Sequence, residues 1–190
     1  MAGELIIDSF VKSKNYENIE QWARKLKTYQ AFSDAKHQQK LEELIVQAMF
    51  KQGEQKAQAN DHAGATAAYL RAAKEYPKDP RAAQAAVSAE TEAKLAGDVS
   101  SLKEAATLIT GKDYRDKPES PMGAWVAAST LQAMGLFDDA AEYDEAITAN
   151  AEARVPVYAR FEHGKDAAFN AVILRAAAAD HGKAISEGNK

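Results

Sequence analysis

Residues 63–80 read AGATAAYLRAAKEYPKDP. Ala65 and Ala72 place small side chains along an otherwise helical run, Tyr69 sets one ring between them, and Pro77 stops the run. Proline lacks the amide donor that a helix interior requires and clashes with the preceding turn. Small residues at helical spacing let neighbouring backbones approach closely, and a single ring fills the space between layers. The stretch therefore predicts a helix that lies tight against other helices.

The rest of the chain favours the same class. Its 190 residues are 46% hydrophobic, enough to bury a sizeable core, but only 8% aromatic. Long windows lack the alternating Val/Ile/Thr pattern of strands, and abundant alanine favours helix. An all-α fold is expected. The formal charge of −4 supplies no general field for polyanions, so no nucleic-acid partner is expected. The absence of cysteine excludes a disulfide framework and a thiolate zinc site while fitting reducing and oxidising compartments alike. No apolar run reaches the length of a membrane span, and MAGELIIDSF lacks the basic start of a signal peptide, so no direct membrane insertion is expected.

The punctuation of residues 63–80 returns along the chain, which is the signature of a repeat. In residues 46–79, Gly53, Ala65, Tyr69, Ala72 and Pro77 match slots 8, 20, 24, 27 and 32 of the tetratricopeptide repeat, and the sequence resembles that family. The resemblance implies pairs of antiparallel helices stacked into a superhelical solenoid of about four to five hairpins, with irregular insertions between them. The copies fall at about residues 1–33, 46–79, 83–112, 121–150 and 165–190, read as a single domain over 1–190. MGLFDDAAEYDEAI (134–147) supplies Gly135, Phe137, Ala140 and Ile147, with Ala128 in the small slot of a first helix starting near Pro121; Tyr143 falls one place before the aromatic slot. KNYENIEQWARKL (14–26) reads as a second helix, with Tyr16 at the turn and Trp22 near the aromatic slot. Residues 83–112 centre on Gly97 and Leu102. Residues 165–190 centre on HGKAI, with a turn there and Ala184 in the small slot.

Equivalent positions Ile19, Ala65, Leu102, Ala140 and Ala184 are 46, 37, 38 and 44 residues apart, longer than the family's 34. Extra residues are expected at 111–121, at 150–163 and around Gln30 to Lys40, the first two marked by proline. The chain stops a few residues into its last second helix, with Gly188 where a ring is expected, and so reads as part of a longer protein.

No catalytic frame emerges, and neither enzyme activity nor a cofactor is expected. ATLITGKD (106–113) has Ala106 in place of the first glycine of a phosphate loop and Asp113 where a magnesium-binding hydroxyl belongs, so Gly111 reads as a helix stop. His37, His62, His163 and His181 show no metal-ligand spacing and read as solvated turn residues. No serine sits in a nucleophile elbow. The cluster Asp138, Asp139, Glu142, Asp144 and Glu145 opens a helix, where carboxylates complement the N-terminal dipole. The alternative is a basic partner or a divalent ion.

The resemblance implies that first helices line a concave groove. Its slot 5 gives Phe50, Val87, Trp125 and Phe169, a stripe that could bury rings against a partner peptide or helix. Glu54, Thr91, Ser129 and Gln132 form a mixed polar rim. Phe50, Glu54, Val87, Trp125, Ser129 and Phe169 are the candidate partner-binding residues. The alternative is core packing, with Trp125 at a buried slot or insertion loops over Phe50 or Phe169. Capture of a partner's C-terminal carboxylate is disfavoured, because Phe50 and Glu54 stand where lysine and asparagine are needed. The phrasing YP…DPRA at residues 76–82 resembles bacterial envelope members of the family, including those of outer-membrane assembly, envelope constriction and gliding machinery. This implies a scaffold in the periplasm or envelope. The alternative is a docking or regulatory domain of a larger cytosolic protein such as a kinase or secretion chaperone.

Overall fold

The computed structural model describes the backbone of residues 9–188 and side chains as far as residue 179. It is all-helical over that range, and inside each compact unit the helices pack neighbour to neighbour. Two compact units meet in sequence at Ala96 and Gly97.

The first unit contains α1 (Tyr16–Lys27), a single 3-10 turn (Gln30–Phe32), α2 (Ala35–Gln58), α3 (His62–Glu75) and α4 (Ala82–Ala96). Asn15, Asp34 and Asp61 cap α1, α2 and α3, each side chain accepting from a backbone amide one turn in. Such caps satisfy donors that a helix start leaves free. Each helix packs on the next: α1 on α2, α2 on α3, α3 on α4. The core is Ile19, Ala23, Leu26, Ile45, Met49, Ala65, Tyr69 and Ala72, with an alanine face along α4. Within it, Glu20 is 5% exposed and is compensated by Arg24 Nε at 2.9 Å, Gln52 Nε2 at 2.8 Å and the Arg71 guanidinium. A buried carboxylate is tolerated when paired in this way. The DPRA turn has its own local chemistry: Arg81 donates from its backbone N and Nε to Asp79 Oδ1 at 2.9 Å, and its guanidinium reaches the carbonyl of Glu43 on α2 at 3.1 Å. The sequence phrasing at 76–82 is thus a turn that ties α4 back to α2.

The second unit contains α5 (Val99–Thr110), α6 (Glu119–Ala133), α7 (Phe137–Glu152), the short α8 (Pro156–Ala159) and α9 (Gly164–Gly188). Here α5 packs on α6, α6 on α7, and α7 on α9. Both expected insertions lie between helices. In the first, Gly111 ends α5, its amide donating to Leu108 O at 3.1 Å, and Tyr114 is buried. Pro121 lies in the first turn of α6, where its missing amide is no loss. In the second, Val155 and Tyr158 are buried, and the Tyr158 hydroxyl lies 2.7 Å from Ser120 Oγ, which also donates to Ile109 O at 2.8 Å.

A repeated turn runs through both units. Lys14, Asn60, Gly97 and Gly135 have φ of 52°, 59°, 68° and 77°, and each is followed by a cap residue and a helix start. Each also stands five places before Ile19, Ala65, Leu102 or Ala140, all of which are buried. The backbone therefore repeats at the first three of the four spacings read from side chains.

Two expectations need correction. The turn expected at HGKAI is absent: residues 164–188 form one helix through Gly182. The alanine-rich run before it holds helical conformation, and one glycine costs only about 1 kcal/mol there. The third insertion is also shorter than expected, because helix resumes at Ala35 under the Asp34 cap. The side chains of His181 and Ala184 lie outside the described residues.

Candidate interaction surface

In the first unit, Phe50 is half-buried and meets Tyr69 of α3 edge-on, with ring centroids 5.2 Å apart. It fills the join between α2 and α3. Glu54, one turn on, is held by Lys51 Nζ at 2.5 Å. Val87 is half-buried on α4, and the neighbouring Thr91 is exposed. Phe50 and Val87 are thus each only partly accessible.

In the second unit, Trp125 of α6 is half-buried beneath residues of the second insertion. His163 stacks flat on its ring at 4.7 Å and 7°, and Phe161 approaches edge-on at 6.5 Å. The 150–163 insertion therefore covers Trp125, whereas Phe169 on α9 remains 67% exposed. Ser129 is exposed and donates to its own helix at Val126 O. Of the four stripe residues, Phe169 alone stands largely in solvent.

Phe169 has companions that the slot-5 reading missed. Val172 is 71% exposed and Ile173 48%, so α9 presents apolar side chains at i, i+3 and i+4, one continuous helical ridge. Its opposite face, with Ala167, Ala171 and Leu174, is buried, and α7 is the helix packed along α9. Arg175 fixes that packing by a bidentate pair to Glu145 at 2.8 Å and a bond to Asp138 at 2.9 Å. The signal was available in sequence as FNAVI (169–173).

The acidic cluster is largely consumed by such pairing. Asp138 and Glu145 hold Arg175, Asp139 takes Lys103 Nζ at 2.5 Å, and Asp144 is buried at 1% exposure with Oδ1 lacking a partner. Burial pushes the Asp144 carboxyl up to about 7. Glu90 on α4 is similar, 1% exposed with Oε1 unpartnered and pushed up to about 8 by burial.

The histidines also have local partners: His37 Nδ1 lies 2.5 Å from its cap Asp34, and His62 Nδ1 lies 2.7 Å from Glu92 of α4. A cleft of about 460 Å³ beside α2, unforeseen from sequence, is lined by Glu42, Glu43, Glu75 and Asp79. Lys27, Gln39, Arg24 and Arg81 respectively already engage these carboxylates. Among the described residues, no group of three or more His, Asp or Glu converges as a metal site, and no helix is long and apolar enough to cross a membrane.

No protein-family model, curated protein or solved structure matches this chain.

Proposed function

We propose that the chain is a non-enzymatic scaffold of tetratricopeptide-like helical hairpins that binds a protein partner. The observation that carries this reading is the ridge of Phe169, Val172 and Ile173 on α9. Contiguous exposed apolar side chains on a helix are a docking feature, whereas isolated ones are ordinary surface. The four equivalent turns support the repeat reading, since repeated hairpins present successive first helices for recognition. The partner meets α9 rather than a continuous aromatic stripe, because Phe50 and Trp125 are engaged by the chain's own residues. This role serves an envelope assembly or a larger cytosolic protein equally, the DPRA turn being explained by its own ion pair.

The test is affinity capture with the full chain as bait, followed by measurement of Kd for the captured partner. Phe169→Ala with Val172→Asp should weaken binding by at least about tenfold, corresponding to the burial of one or two apolar side chains, while Glu54→Gln leaves it unchanged. Unchanged affinity in the double variant would remove the ridge from the binding surface.

A further inference from the structure

Lys27, Lys51 and Lys56 of the first unit each hold a carboxylate. Where α1 turns into α2 the pattern changes. Residues 25–40 contain four lysines and a single aspartate, on a chain whose formal charge is −4. That aspartate, Asp34, is taken up by the start of α2 and by His37. Lys25 in the last turn of α1, and Lys36 and Lys40 in the first two turns of α2, are exposed. Among the described residues none of these three is in an ion pair.

The connection is tied down beneath that display. Gln38 Nε2 donates to the carbonyls of Lys27 at 3.1 Å and Phe32 at 2.7 Å, and Phe32 meets His37 edge-on at 5.5 Å. Tyr29, two residues past the end of α1, is 46% exposed. Trp22 and Lys25 share one face of α1, with Lys25 Nζ 4.8 Å over the half-buried Trp22 ring.

We propose that this tip of the first unit adsorbs to an anionic phospholipid surface, with Lys25, Lys36 and Lys40 on the headgroups and Tyr29 at the interface. The inference goes beyond partner docking on α9 and uses none of its residues. The three lysines come from two helices on either side of a turn, so a plane of negative charge engages them together where a single acidic side chain meets one. Tyrosine and lysine both bury an apolar stem or ring at a headgroup layer while keeping a polar end in water. Adsorption of this kind needs no spanning helix. Nucleic acid carries the same charge, but a single strand is held by stacking its bases on successive ring faces. Here Lys25 lies over Trp22, and Tyr29 is the one exposed ring of the turn.

The test is co-sedimentation of the full chain with vesicles of phosphatidylcholine, alone or with about 30% phosphatidylglycerol. Each lysine near an anionic bilayer strengthens partition about fivefold. Partition onto the mixed vesicles should therefore exceed that onto neutral ones at least about tenfold near 50 mM salt, and fall to the neutral level near 500 mM. Lys25→Glu with Lys36→Glu should lower it at least about tenfold, and Tyr29→Ala about threefold. Lys112→Glu with Lys117→Glu, an exposed pair in the second unit that changes the net charge equally, should leave it unchanged. Circular dichroism melting establishes that each variant is folded, and Lys25→Gln with Lys36→Gln decides the matter should the glutamates unfold the chain. Equal partition onto neutral and mixed vesicles overturns the proposal, as does an equal loss in the tip and control pairs. So does a single strand of about 20 nucleotides that binds more tightly than the vesicles and depends on the same lysines, since nucleic acid would then own the tip.

Discussion

A Cβ on Gly53 would stand 2.6 Å from Tyr69 Cε1, so Gly53→Leu forces the ring out of a closed layer and should cost about 1–3 kcal/mol. Tyr69→Ala empties the same layer and should cost about 3–5 kcal/mol. Urea unfolding measures both, and losses under about 0.5 kcal/mol at each site would contradict the close approach of α2 and α3. Glu90 and Asp144 make the second residue-scale prediction. Their folded carboxyls are raised to about 8 and about 7 by burial, above an ordinary value near 4. Between those limits the folded chain binds more protons than the unfolded chain. These two groups therefore favour folding most at about pH 4 and below, and their contribution falls as pH rises toward 8. Glu90→Gln and Asp144→Asn should each raise stability at pH 8 by roughly 1–3 kcal/mol and change it little at pH 4, by thermal melting at both. An equal effect at the two pH values would contradict the buried, unpartnered carboxyls. Neither burial was legible in sequence. Glu90 had no special mark, and Asp144 was grouped with exposed helix-opening acids, because the difference between a solvated and a buried face is set by which helix packs there.

The left-handed turn before a cap residue is the feature that recurs. Gly97 and Gly135 adopt left-handed backbone, and a Cβ at either would meet nothing within 4 Å, so Gly97→Ala and Gly135→Ala isolate the conformational cost, about 1–2 kcal/mol each. Asn60→Gly should be neutral or stabilising by up to about 1 kcal/mol, because it removes that cost at an equivalent turn. Thermal melting of the three variants checks the equivalence; a stabilising Gly135→Ala would refute it. The two glycine turns were legible from residue type, and the anchors Ile19, Ala65, Leu102 and Ala140 proved buried. Lys14 and Asn60 carried a weaker signal, since neither residue type demands left-handed backbone. The HGK sequence misled in the other direction: glycine permits a turn but does not impose one, and α9 runs on. Covering of Trp125 by His163 was equally hidden, because their contact joins residues far apart in sequence.

For the whole molecule, the all-α class followed from composition and punctuation. The binding surface was only partly legible. Counting one slot along the chain found Phe169 but ranked it equally with Phe50 and Trp125, which the chain covers with its own rings. What separates them is whether another element lies on top, a property of assembly rather than of any residue. The central claim is that α9 offers the apolar face on which a protein partner docks. Its most direct test is amide chemical-shift mapping of the isotope-labelled full chain during titration with the partner that the full chain captures. The account predicts shifts concentrated in residues 165–179 around Phe169, Val172 and Ile173; shifts centred instead on Phe50, Val87 or Trp125, or none at saturating partner, would contradict it.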